Sequence, residues 1–372
     1  MTGTDSSGES AGSGAAGAGA SGAAAAGGAA DSSPSGAAAA GGAADSSPSG
    51  AAAAGGAADS GASGAAVSSS PVHSGAAGAG GEASAGAPAA VLSRSPALGP
   101  LLVRGALRSP FKRPHPRAPY PRTRLTLPSL RVDPERLAAY ERVCGFPAGA
   151  GVLPVTYPHL LGFPLAMRLM SRANFPLPLL GLVHTSIDVT RHTALPATGA
   201  YDLTVHIAGL TPHRRGTEAV VVTELREGGA VVWASTSTYL ARHRTDGTAS
   251  GPAGSADERR ESLPEVDRWR LAGDLGRRYG AASGDRNPIH LHPLSARLFG
   301  FPRAIAHGMW TVARCLAAHG TPDAALVRAA FRAPVLLPGE VVYAADAIGR
   351  FELRAPDGRR THLTGEVLPL LT

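Results

Sequence analysis

Tyr279 to Met309 reads YGAASGDRNPIHLHPLSARLFGFPRAIAHGM and holds the chain's densest group of chemically competent side chains. Within it, Ser283-Gly284-Asp285-Arg286-Asn287-Pro288-Ile289-His290 sets a carboxylate and an imidazole five residues apart, a spacing that suits a loop better than a helix face. Gly284 permits an unusual backbone angle and Pro288 fixes the next one, so the pair is expected to be held rigidly. Such a pair positions a water or takes a proton at neutral pH, because histidine titrates near neutrality. The stretch ends in Ala306-His307-Gly308-Met309 at the expected start of a helix. The N–H groups of a first turn are unpaired and the dipole there is positive, a ready place for a developing oxyanion. An Asp-x4-His loop is more often a structural hydrogen bond than a catalytic pair, and a glycine at a helix start is common. Only the combination makes a candidate site.

Downstream, a helix is expected over 307–319, with Met309, Val312, Ala313 and Leu316 on one face and Gly320 as its stop. Strand-like runs follow at 335–337, 341–348, 351–355 and 361–368, the last two joined by the turn Asp357-Gly358. Upstream, the same order occurs. Asp133 before Pro134 caps a segment to Val143, and 158–171 reads as a buried helix with Leu161, Leu165 and Leu169 spaced by four. Strand-like runs then fall at 182–189, 201–208, 218–225 and 230–240, the last pair joined at Glu227-Gly228-Gly229. Residues 245–262 lose all periodicity. A helix followed by an antiparallel meander, twice, points to two similar α+β units of roughly 110–120 residues.

Composition bounds the rest. Of the first 90 residues 74 are Gly, Ala or Ser, and SGAAAAGGAADS recurs with a period of 14 from Ser21. Such small residues cannot bury an apolar face, so residues 1–92 are expected to be a disordered tail. Nine Lys and Arg and no acid lie between Arg94 and Arg131, whereas from Val132 onward 26 basic residues oppose 22 acidic ones. The charge of +7 therefore belongs to a short Pro/Arg-rich segment, 93–131, expected to be a solvated linker, and no nucleic-acid partner is implied. Two cysteines, Cys144 and Cys315, exclude a disulfide scaffold, and reduced thiols in the cytoplasm are expected. No uncharged run of 18 apolar residues occurs, so no membrane span is expected.

The stretch 279–309 resembles the signature of the MaoC-like family, the (R)-specific enoyl-CoA hydratases and 3-hydroxyacyl-thioester dehydratases. That signature runs approximately Y-x3-S-G-D-x-N-P-[LI]-H-x-D-P-x2-A-x3-G-F-x3-I-x-H-G-M. It matches at Tyr279, Ser283, Gly284, Asp285, Asn287, Pro288, Ile289 and His290, then at Pro293, Ala296, Gly300, Phe301 and Ile305, and at His307, Gly308 and Met309. The resemblance implies a double hotdog, two units in which a central helix is wrapped by an antiparallel sheet. The expected layout is a first unit at 132–244, a linker at 245–264 and a catalytic unit at 265–372. One departure is His292, where the family often has an acid; loop packing or the pocket mouth is its expected place.

By the same resemblance, Asp285 and His290 would be the acid–base pair and Gly308 the N–H donor to the thioester oxygen. Ser283 would brace Asp285, and Asn287 would orient the loop or the water. Met309 would reach the acyl tunnel, while Arg303, or Arg297, would meet pantetheine phosphates or an acidic carrier. The substrate would be an acyl-CoA or acyl-carrier-protein thioester of fatty-acid or polyketide metabolism, with no metal and no cofactor. A homodimer or a second MaoC-like subunit is a further possible partner. The first unit lacks the Gly-Asp-x-Asn-Pro-x-His framework around His159, His184, His192, His206 and His213, so it would shape the acyl tunnel and not catalyse. The competing readings are a hotdog thioesterase and a non-catalytic acyl-thioester-binding module.

Overall fold

The computed structural model describes residues 88–245 and 262–370. Residues 1–87 of the expected disordered tail and most of the expected inter-unit linker lie outside these residues; 88–92, also expected to be disordered, are described, and Ala89–Val91 form a strand with Ala89 opposite Arg124. In chain order the strands are β1 (Ala89–Val91), β2 (Arg124–Arg131), β3 (Val183–Arg191), β4 (Ala200–His213), β5 (Gly216–Glu227), β6 (Ala230–Arg242), β7 (Glu265–Leu271), β8 (Ala325–Phe331), β9 (Gly339–Ala345), β10 (Arg350–Arg354) and β11 (Thr361–Pro369). The helices are α1 (Leu98–Arg108), α2 (Pro134–Cys144), α3 (Tyr157–Met170), α4 (Leu275–Ser283), α5 (Pro288–Leu291), α6 (Pro293–Leu298) and α7 (Gly308–His319).

All eleven strands form one sheet in the order β1-β2-β4-β5-β6-β3-β8-β11-β10-β9-β7. Outward from the centre, β3-β6-β5-β4-β2 on one side repeats as β8-β11-β10-β9-β7 on the other. The two halves meet where β3 pairs antiparallel with β8, Asp188 opposite Arg328. Helix α3 lies over β4 and β5, and α7 over β10. This is the double hotdog.

Both central helices are wrapped, and their sequences show it. Helix α3, YPHLLGFPLAMRLM, buries residues all round, as a helix enclosed by a sheet must. Its Gly162 admits the Thr223 side chain of β5, which would lie 2.6 Å from an added Cβ. Helix α7 buries Trp310, Val312, Ala313 and Leu316 and ends at Gly320. Asp133 caps α2 as expected, accepting from the N–H groups of Glu135 and Arg136.

Four further expectations need correction. The segment 93–131 is not a solvated connector: it carries α1, packed on α3, and β2, which pairs with β4 from Leu125 opposite Val205 to Arg131 opposite Ala200. Leu125 and Leu127 are buried, so the first half begins before residue 132. Pro128 disguised this strand; the sheet absorbs it in a bulge between Leu127 and Leu130, with Ser129 at φ 51°. The strand expected at 335–337 is only a bridge, Leu336 opposite Ile305, because prolines at 334 and 338 bracket it. The strand after α7 is instead β8, ALVRAAF, whose alanines have weak strand preference but fit between β3 and β11. Finally, β7 and α4 fall in a stretch that carried no expected element.

Candidate active site

The site is built from a short loop, the start of α7, and two pieces of backbone that pin them. Helix α4 ends at Gly284, whose φ of 81° closes the helix in the left-handed region that favours glycine. The chain then turns through Asp285. The Ser283 hydroxyl accepts from the Asp285 N–H at 3.1 Å, and one Asp285 carboxylate oxygen accepts from the Asn287 N–H at 3.1 Å. The Asn287 side chain caps α5 by accepting from the Ile289 N–H. Ser283 and Asn287 thus brace the loop through backbone groups. His292 caps α6 through Leu294 N–H.

Two glycines let the loop lie flat on α4. An added Cβ on Gly276 would sit 1.9 Å from the His290 carbonyl oxygen, and one on Gly280 would sit 2.9 Å from that of Asp285. From the first half, Arg136 of α2 donates to the carbonyls of Ala282 (3.0 Å) and Ser283 (2.5 Å), meeting the negative end of α4. Segment 304–306 supplies the second support. Ile305 N–H donates to Ile289 C=O, Ala306 N–H to Val335 C=O and Leu337 N–H to Ala304 C=O.

This frame sets the protonation pattern. His290 is buried, and its Nδ1 lies 2.8 Å from the Ile305 carbonyl oxygen, which can only accept. Nδ1 therefore carries the proton and Nε2 has the free lone pair. Burial lowers the pKa of His290, opposed by the Asp285 charge. Burial raises that of Asp285, opposed by His290 and the Asn287 N–H. Both shifts favour the neutral form of each group. The Asp285 side chain keeps 23% of its exposure, so it is open on one side.

A third group belongs to this site, one to which the sequence reading gave no role of its own. His307, at the cap position of α7, makes no capping bond. Its ring stacks on His290 with centroids 3.7 Å apart and planes at 25°. Its Nε2 donates to the Asp285 carbonyl at 3.0 Å, and its Nδ1 is buried without a partner. Burial holds His307 neutral, well below the usual histidine range. Donor atoms of Asp285, His290 and His307 all lie within 4.8 Å of one another, close enough for a metal ion. The imidazoles, however, stack with their planes only 25° apart, unlike the fanned arrangement of ligands around a tetrahedral ion. Such a group suits proton handling better than coordination.

Gly308 follows as the first residue of α7, where an N–H has no partner within the helix. Phe331 presses against it: an added Cβ would meet the ring at 3.0 Å. Met309 is half-buried against the core. Arg303 is exposed and donates to the Pro338 carbonyl at 2.9 Å, and Arg297 donates to that of Pro302, so the structure does not bring either to the Asp285–His290 pair. The first half contributes Tyr239, whose hydroxyl pKa is raised by burial and in part by the Asp285 charge.

A family model for the MaoC like domain matches residues 264–353, the segment that contains Asp285, His290 and Gly308. The 3-hydroxyacyl-thioester dehydratase X of Mycobacterium tuberculosis is 36% identical over 253 residues, covering 66% of this chain and 89% of that protein. This chain belongs to the MaoC-like family. Dehydratase Y of the same organism is 33% identical over 142 residues, 35% of this MaoC-like chain and 47% of that protein. A crystal structure of HtdX from M. tuberculosis superposes with a TM-score of 0.58 at 34% identity, over 66% of this chain and all of that one. A MaoC-like dehydratase from Phytophthora capsici shares the fold at 17% identity and a TM-score of 0.53, over 66% of this chain and 94% of that one. Among the described residues no helix is long and apolar enough to cross a membrane.

Proposed function

We propose that the protein is a hydro-lyase that interconverts (R)-3-hydroxyacyl and trans-2-enoyl thioesters, carried on CoA or on an acyl carrier protein. The observation that carries this reading is the Asp285–His290 pair, with the Nδ1 proton of His290 committed to Ile305 and Nε2 left free beside a carboxyl that burial biases toward protonation. In the dehydrating direction, His290 Nε2 takes the C2 proton and the C2–H electrons form the double bond. The C3–O bond breaks as Asp285 delivers its proton to the leaving hydroxyl, which departs as water. Return of the proton from His290 to Asp285 resets the pair. In hydration the same groups activate one water.

Enolate charge builds on the thioester oxygen as C2 loses its proton, and the Gly308 N–H at the head of α7 donates to it. An oxyanion donor contributes about 2.7–4 kcal/mol, and acid–base help about 10²–10⁴-fold. The C-terminal half catalyses, and the N-terminal half walls the acyl chain. The thioesterase reading is disfavoured because both reacting groups sit on the loop before the central helix, with no carboxylate on α7. The test uses the full chain and loss of enoyl absorbance from a short trans-2-enoyl-CoA. Asp285→Asn and His290→Ala each lower kcat by at least about 10²-fold; unchanged rates in both sink the assignment.

A further inference from the structure

We propose that the N-terminal half holds a buried polar site for an uncharged oxygen, a hydroxyl or a ketone, on the acyl chain of the substrate. This rests on the thioester reading above and narrows it to oxygenated chains. The central strands β6, β3, β8 and β11 lie between the two covering helices, α3 over β4 and β5 and α7 over β10. Their inner residues therefore lie on the buried face that the two helices cover. On the C-terminal side that surface is apolar: Val327 and Ala329 on β8, Leu363 and Val367 on β11.

On the N-terminal side it is not. Ser235, Ser237 and Tyr239 alternate along the buried face of β6, His184 sits opposite Tyr239, and His159 of α3 stacks over His184 with centroids 5.7 Å apart. Ser235, Ser237 and His159 are 2%, 1% and 7% exposed. The Ser235 hydroxyl, Nδ1 of His159 and Nε2 of His184 are buried with no hydrogen-bond partner, and the buried Ser237 hydroxyl has only that of Tyr239 within reach. Folding alone does not favour leaving such atoms unbonded around one buried surface, and each calls for a ligand or a water.

The patch adjoins the reacting end. His184 stacks on Tyr239 at 4.5 Å and lies 4.7 Å from the Phe331 ring, which itself presses on Gly308. Ser237 and Ser235 follow about 7 and 14 Å farther along β6 at the ordinary strand rise. A chain leaving the thioester along β6 thus passes His184 first and the serines later. Among these groups none is a cation, since burial holds His159 neutral with a pKa lowered to about 4, so an anionic group is not compensated. A plain alkyl chain leaves these atoms unbonded, whereas a hydroxyl or ketone held beside His184 or beside a serine bonds to the group it reaches.

The test compares a medium-chain trans-2-enoyl-CoA with chains of equal length carrying a hydroxyl or keto group at successive positions beyond the double bond. The full-length protein is expected to prefer one position, with kcat/KM raised roughly tenfold or more over the plain chain. In Ser235→Ala/Ser237→Ala, and separately in His159→Phe, that ratio is expected to fall toward one; because it is a ratio, a general loss of folded enzyme cancels. Equal kcat/KM at every position, or a preference that survives both variants, overturns the proposal. Calorimetric binding of the saturated acyl-CoA counterparts gives a readout that does not depend on turnover. If no chain is turned over yet the oxygenated chain binds tighter, the hydro-lyase reading fails and the site stands. If turnover is normal and binding shows no preference, the site fails and the hydro-lyase reading stands.

Discussion

Gly276→Ala tests whether catalysis depends on how closely α4 lies under the catalytic loop. Position 276 is helical and has no unusual backbone angle, so alanine on its own favours the helix by roughly 0.8–1.0 kcal/mol. The obstacle is space: the new methyl sits 1.9 Å from the His290 carbonyl oxygen, and ordinary contact begins at 3.4 Å. Helix or loop therefore yields by about 1.5 Å. The atom that is pushed belongs to the backbone of His290 itself, so the displacement reaches Nε2 directly. A misplacement of about 1 Å costs on the order of 10²-fold in rate, equivalent to about 2.7 kcal/mol. The expected result is a kcat about 10²-fold lower with KM changed far less, since the chain-binding surface is untouched. Gly209→Ala is the control, because an added Cβ there meets nothing within 4 Å. The assay is enoyl-CoA hydration, with circular dichroism to confirm that both variants fold. A folded Gly276→Ala enzyme with the kcat of the Gly209→Ala control would refute the reasoning.

Arg136→Ala removes two charge-assisted hydrogen bonds at the end of α4, and kcat is expected to fall about tenfold while KM holds. Arg136→Lys recovers only part of this, because lysine is shorter and lacks the rigid planar fork that reaches both carbonyls; full recovery would count against a positioning role. His159 binds a proton in the unfolded chain below its ordinary pKa of 6.5 but not in the folded one until about 4, so stability rises with pH through that window. Going from pH 7 to pH 5, this residue alone removes about 2 kcal/mol. In urea titrations His159→Phe should lose correspondingly less over the same interval, and equal losses would be contrary to expectation. A chain beginning at residue 132 lacks β2 and the buried Leu125 and Leu127, each contributing about 1.5–3 kcal/mol. It should fail to show a cooperative thermal transition that a chain beginning at residue 88 retains.

What was legible in the sequence was what local chemistry encodes. The turn at Gly284 and the opening of α7 are set by residues within a few positions of one another, and each appears where the motif put it. The long strands β4, β5 and β6 were legible because their alternation is strong. Elements defined by distant partners were not. β2 reads as Pro/Arg-rich coil until β4 is beside it. β8 is too rich in alanine to announce a strand, yet it holds the centre of the sheet. His307 is 22 residues from Asp285 in sequence, and only folding stacks it on His290. Gly276 and Gly280 look like weak points of a helix; their purpose is visible only once the loop lies across them.

The antiparallel contact between β3 and β8 has a consequence for how such a protein can be altered. In a symmetric pair of identical subunits every substitution appears twice, once on each side of the axis, and must suit both places. Here the two sides are separate stretches of one chain. A serine introduced on β6 leaves β11 apolar, and a change in the catalytic loop has no echo in the first half. With the roles proposed above, chain selectivity and proton chemistry can therefore be varied one at a time, so altering what the N-terminal surface accepts need not disturb Asp285 and His290.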